Sequence, residues 1–179
     1  LCDEGYYNDP FKELHIPSLL EILAVPYTGA GPSCLGLCYN KGLVRSIAET
    51  LEVPVPMESY IGPDDVIATI PSTFPALLKP NFGDSSVGIT INAIVNNQDE
   101  LLGYINELRR TLGRIPVLVQ EFLTGTEYSV GIIGNPGTSY KILPPLEVDY
   151  SKLDPELPKI LGYESKWLQD SPYWTQIKY

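Results

Sequence analysis

A lysine closing a short apolar run, with a row of small polar residues behind it, is the feature of this 179-residue sequence best suited to chemistry. Residues 74–91 read FPALLKPNFGDSSVGITI. Ala76, Leu77 and Leu78 predict a buried strand. Pro80 favours an extended Lys79, so the strand ends on a held-out cation. In the following loop Gly83 tolerates a positive φ, and Ser85 and Ser86 add hydroxyl donors to the backbone N–H groups. Val87 to Ile91 predict a returning strand, with Gly88 as a weak point or a place of close approach. A cation followed by a concave row of donors suits a phosphate chain. The order is not that of the P-loop, whose lysine follows its glycines at a helix start. The expected device is a β-hairpin lid over phosphates. A plain surface hairpin with a lysine at its base is the alternative, and this stretch alone leaves both open.

The elements that must position such a site flank it. Residues 16–23 are apolar on a helical rhythm (Ile16, Leu19, Leu20, Leu23), followed by a short extended Val25-Pro26-Tyr27. With Leu1 to Gly5 as a strand end, residues 1–30 read as the last unit of an open sheet. His15 reads as a surface or helix-start residue, because no nucleophile pairs with it. Pro32 and Ser33 begin a predicted helix reaching Leu51. On it Lys41 shares a stripe with Leu37, Val44, Ala48 and Leu51. A lysine there either meets an anion or runs its stem inward and its ammonium out to water. Val53 to Pro56 break that helix and lead into a strand. Asn97 and Glu100 have the spacing of a capping box before the stripe Leu101, Ile105, Leu108 and Leu112. Arg109 and Arg110 read as a solvated face. Pro116 to Gln120 predict a strand, Thr124-Gly125-Thr126 a turn, and Glu127 to Ile133 a second strand. Such a hinge can offer a backbone N–H and C=O to an adenine edge. Glu127 can accept both hydroxyls of a ribose, or be an ordinary solvated strand-end residue.

Composition narrows the class. With 44% hydrophobic residues the chain can bury a real core. A net charge of −10 argues against nucleic acid as partner. It leaves room for ATP, since a few local lysines can hold a triphosphate on an acidic background. The three cysteines favour a reducing, cytoplasmic setting, and Cys34 and Cys38 read as buried structural residues. With His15 they would make a poor zinc site, which wants four ligands. No membrane span or signal peptide is visible. The abrupt ends suggest a fragment of a longer protein.

Five segments together resemble the ATP-grasp D-alanine:D-alanine ligases and their relatives: IPSLLEILAVPYTGAG, LCYNKGLVRSIAETLEVPVP, FPALLKPNFGDSSVGIT, VLVQEFLTGTEYSVGIIG and LGYESKW, in the family's order. The resemblance implies an α/β (α+β) ATP-grasp fold. Residues 1–30 would end an N-terminal open-sheet domain, 31–120 form the central lid domain, and 121–179 open the large C-terminal domain. Lys41, Lys79 and Lys166 would contact the phosphates of ATP. Ser85 and Ser86 would close over them, with Ser85 also near the substrate. Gln120, Glu121, Phe122 and Leu123 would line the adenine, and Glu127 would hold the ribose. The implied reaction phosphorylates a carboxylate with ATP and Mg2+, then joins it to the amine of a second amino acid such as D-alanine, for cell-wall precursor synthesis. In-line phosphoryl transfer of this kind depends on positioning and charge neutralisation. The implied magnesium carboxylates and oxyanion arginine fall outside these residues, so the fragment alone is expected to be inactive. A homodimer is compatible with the resemblance. A non-catalytic ATP-binding regulatory module is the alternative function. Three departures stand out: Gly83-Asp84 before the serines, Trp167 where a tyrosine is usual, and a proline-rich stretch over 144–160.

Overall fold

The computed structural model describes residues 7, 9–66, 73–135 and 137–179. Its centre is β4 (Val117–Glu121), whose first four residues are all buried. It pairs antiparallel with β1 (Glu58–Ile61) on one side and β2 (Ala76–Pro80) on the other, and β2 pairs with the short β3 (Ile94–Val95). Residues directly opposite in an antiparallel ladder share a face. The register sets Leu78 and Ser59 against Val119, and Pro80 and Ile61 against Val117. That face is apolar and carries the first core, in which Ile61, Ala76, Leu78, Val117 and Val119 meet Leu101, Tyr104, Ile105 and Leu108 of α4 (Gln98–Leu112). The other face carries Glu58, Tyr60, Leu77, Lys79, Leu118 and Gln120.

The start of α4 follows the expected capping pattern with one shift. Asn97 accepts the Glu100 N–H at 3.0 Å, while Glu100 reaches back to the N–H of Asn96. Its C-terminal arginines divide. Arg110 is exposed, but Arg109 donates to the carbonyls of Gly62 and Asp65, so it fastens the turn after β1 and is not part of a solvated face.

Three expected elements are built differently. The helix predicted to reach Leu51 from residue 31 is two helices, α2 (Pro32–Cys38) and α3 (Lys41–Thr50), because Asn40 is extended and caps the second. Lys41 is therefore a first-turn residue. No strand forms over Val87–Ile91, since Ser85 and Ser86 both take positive φ and the chain coils through a turn before β3. The strand over 127–133 splits into β5 (Tyr128–Ser129) and β6 (Ile132–Ile133), which pair with β8 (Leu146–Glu147) and β7 (Lys141–Ile142) respectively. Cys34 and Cys38 are exposed, not buried: α2 buries no residue completely. His15 starts α1 (His15–Ile22) and is exposed, as expected. The strand end expected at Leu1–Gly5 lies outside the described residues.

A second core joins Val148, Tyr150, Leu153, Ile160, Tyr173 and Ile177, and packs against Leu77, Ile89, Ile91 and Ile94. It carries α5 (Tyr163–Trp167) and α6 (Pro172–Gln176) to the polar face of the sheet. Among the described residues no helix is long and apolar enough to cross a membrane.

Candidate functional site

One buried side chain sets Lys41 beside Lys79. Asn81, just past the end of β2, is 1% exposed. Its side chain accepts the Gly42 N–H at 2.9 Å and donates to Asn40 Oδ1 at 3.1 Å, and its carbonyl accepts the Lys41 N–H at 3.0 Å. Asn40 Oδ1 also accepts the Leu43 N–H at 3.1 Å, so the orphan donors of the helix start are met by two asparagines. Glycine at 42 allows the approach: a Cβ there would lie 3.1 Å from Asn81 Oδ1 and 3.7 Å from both Leu118 Cδ2 and Glu58 Oε1. The start of α3 thus rests on the polar face of the sheet.

The two ammonium groups are close enough to repel. Partial burial, then the Lys79 charge, lower the Lys41 pKa to about 8, and the carboxylate of Asp84 offsets this only in part. Burial likewise lowers Lys79, with Glu58 opposing. Lys41 donates to the Gly83 carbonyl at 2.5 Å. Glu58 accepts instead from Gln120 Nε2, also at 2.5 Å. Among the described residues neither lysine forms an ion pair. Folding has gathered positive charge and left it incompletely neutralised, the condition for holding an anion.

The serine loop is fixed from the far side by α5. Ser86, 8% exposed, donates to the Leu161 carbonyl at 3.0 Å, and Trp167 Nε1 donates to the Ser85 carbonyl at 3.0 Å. The Tyr163 N–H donates to Ile89, and Glu164 accepts the Ile91 N–H. Gly88 is the close approach that the sequence suggested. At φ +70°, a Cβ there would come within 2.7 Å of Leu112 Cδ1 and 2.9 Å of Pro80 Cγ. Lys166 is exposed on α5, one residue before Trp167.

The expected adenine edge lies at the end of β4. Gln120 is 8% exposed and its amide is taken by Glu58. The N–H groups of Glu121 and Phe122 are spent on the carbonyls of Met57 and Pro75. Leu123 is exposed, and its N–H makes no hydrogen bond to the described residues. Glu121 lines an open cavity of about 410 Å³ with Arg45, Met57, Glu58, Ser59, Thr73 and Val119. Glu127 stands apart from the lysines. It accepts from the Tyr150 hydroxyl at 2.7 Å, and burial together with this carboxylate raises the Tyr150 pKa. No hydrogen bond or ion pair among the described residues joins Glu127 to Lys41 or Lys79.

Glu58, Asn40 and Asn81 are the site residues that sequence reasoning missed. Glu58 alternates with Tyr60 along β1, a period-2 signal too short to stand out. Asn81 reads as a loop residue and Asn40 as part of a continuous helix until the register brings them together. Among the described residues no three His, Cys, Asp or Glu side chains gather as a metal set.

A family model described as "D-ala D-ala ligase C-terminus" matches residues 63–178. A D-alanine–D-alanine ligase of Aquifex aeolicus is 32% identical over 166 residues, covering 91% of this chain and 51% of that protein. One of Buchnera aphidicola is 30% identical over 165 residues, covering 87% and 49%. The crystal structure of a Bacillus anthracis D-alanine–D-alanine ligase complexed with ATP superposes with a TM-score of 0.63 at 22% identity, over 81% of this chain and 45% of that one. The likeness establishes the ATP-grasp fold. The chain spans about half the length of the curated relatives it matches.

Proposed function

This chain belongs to the D-alanine–D-alanine ligase C-terminal family, and we propose that it is the nucleotide-holding part of an ATP-dependent carboxylate–amine ligase, joining two small amino acids such as D-alanine through an acyl phosphate. The observation that carries this reading is the pair Lys41 and Lys79, two partly buried ammonium groups brought together from separate elements despite their repulsion.

In this reading the two lysines neutralise the phosphate chain from either side, and Lys166 adds a third cation from α5. Ser85 and Ser86 close over the phosphates, held in place through Leu161 and Trp167, with the Ser86 hydroxyl spent on Leu161. Ser85 also faces the substrate end. Gln120, Glu121, Phe122 and Leu123 border the adenine, chiefly through the backbone of Glu121 and Leu123, and Glu127, oriented by Tyr150, takes the ribose hydroxyls. Positioning and neutralisation of developing charge are what phosphoryl transfer asks of a protein. Magnesium, where bound, would supply further neutralisation of the phosphate charge; we place its ligands outside these residues. Residues 1–30 then end an N-terminal open-sheet domain, 31–120 form the lid, and 121–179 begin the large domain. That the homologous Bacillus anthracis enzyme was crystallised with ATP supports the choice of nucleotide.

Lys79→Ala tests the reading. In the complete ligase it should weaken ATP binding, followed by calorimetry, by about 1.5–3 kcal/mol, the range for a hydrogen bond to a charged group. Unchanged affinity would return Lys79 to the base of an ordinary surface loop.

A further inference from the structure

Two thiols face each other on α2, the helix that precedes α3 and Lys41. Cys34 and Cys38 are both free and exposed, and their sulfurs are 3.9 Å apart. Closed zinc sites take four ligands, and among the described residues no third ligating side chain joins these two. The 3.9 Å approach sets the two sulfurs in reach of covalent chemistry with each other. Residues four apart on a helix are separated by about 6 Å along the axis, within the Cα range of disulfides. Their Cβ atoms, however, are about 5–6 Å apart in a regular helix, beyond the roughly 3.5–4.5 Å that a disulfide spans. Closing the bridge must therefore tighten or break α2.

That helix is tied to the site at its end. Tyr39 and then Asn40 follow Cys38 directly, and Asn40 caps α3 and accepts from Asn81. Leu35, Gly36 and Tyr39 also line a small cavity with Phe82, the residue before Gly83. Distorting the last turn of α2 moves the cap.

We propose that Cys34 and Cys38 form a reversible dithiol–disulfide site that loosens the Asn40–Asn81 clasp when it closes, with a small-molecule disulfide such as glutathione disulfide as oxidant. One cysteine thiolate attacks a glutathione sulfur, forming a mixed disulfide and releasing one glutathione thiolate. The second cysteine thiolate attacks the protein-side sulfur of that mixed disulfide and releases the other. The two protons lost by the cysteines end on the two glutathiones, so the protein is oxidised by two electrons and glutathione disulfide is reduced.

The test uses the whole chain incubated with glutathione disulfide, alkylated and digested with trypsin. Residues 13–41 contain no lysine or arginine before Lys41, so both cysteines fall in one peptide. It should lose two hydrogens, take no alkyl group, and regain both thiols with dithiothreitol. Amide hydrogen exchange over residues 40–46 should accelerate about fivefold on oxidation, the weight of a lost helix cap. The Cys34→Ser and Cys38→Ser variants should take one glutathione each and show no acceleration. A peptide alkylated twice, a product held as mixed disulfide only, a bridge to Cys2, closure without faster exchange, or acceleration in either variant would each overturn the proposal.

Discussion

Lys41 is under opposing demands. Its ammonium is desolvated and sits near Lys79, so its folded-state pKa falls from the ordinary 10.5 to about 8. Between those values the unfolded chain binds more protons than the folded one, so stability rises with pH from about 8 to 10.5 as the folded-state charge is shed. Below 8 the charged side chain is a standing penalty. Lys41→Met should therefore raise the thermal midpoint at pH 7, by about 1 kcal/mol after discounting for solvent screening and the lost bond to Gly83. It should also weaken ATP and abolish a fall in wild-type ATP affinity as pH rises through about 8 and upward. Lower stability with intact affinity would refute the assignment. The sequence marked Lys41 as a cation on an apolar stripe, which is a conflict visible without coordinates. What resolves it was not visible, because Glu58, Asn81 and Lys79 are brought to its side of the sheet only through a register 17 to 40 residues away.

At the scale of elements, legibility follows how local the signals are. The cap, stripe and length of α4 are all written within 98–112 and its Asn97 cap, so the helix was predictable. The serine loop was not. Val87-Gly88-Ile89-Thr90-Ile91 alternates like a strand, yet Ile89 and Ile91 are drawn into the second core and the two left-handed serines turn the chain away from β2. Tertiary burial overrode a local pattern. The break at Tyr39–Asn40 was missed for a related reason: a helical stripe continues across it, and only the bonds from Asn81 favour a fresh start at Lys41. Those bonds set the next prediction. Asn81→Leu leaves the Gly42 N–H without its partner and should cost about 1–3 kcal/mol in urea unfolding. Asn40→Ala removes the cap of the Leu43 N–H and the acceptor of the Asn81 amide, but leaves the Gly42 N–H on Asn81, and should cost less, about 1 kcal/mol. If the order is reversed, Asn40 and not Asn81 holds the helix start.

At the scale of the molecule, the question is whether the lysine pair and α5 belong to one cooperative unit. Lys79 stands on the sheet and Lys41 on α3 against it, whereas α5 and the Trp167 contact to Ser85 come from the last twenty residues. Leu77 and Ile89 pack against both cores, and Ile91 and Ile94 reach from the sheet side into the second. A side chain shared between two clusters cannot leave one without exposing the other, so the clusters should unfold together. Tyr173 tests this, being 4% exposed in the second core and bonded through its hydroxyl to the Pro158 carbonyl at 2.8 Å. Tyr173→Ala should destabilise the whole chain by about 3–5 kcal/mol, the range for emptying a large aromatic site. Urea curves followed by tryptophan fluorescence, which reports Trp167 and Trp174, and by far-ultraviolet circular dichroism, which is weighted toward α4, should shift by the same amount and remain superimposed. Curves that separate, with fluorescence lost first, would mean that α5 rides on an independent unit. The serine loop would then be held only when that unit is folded, and the phosphate cradle would assemble in two steps instead of one.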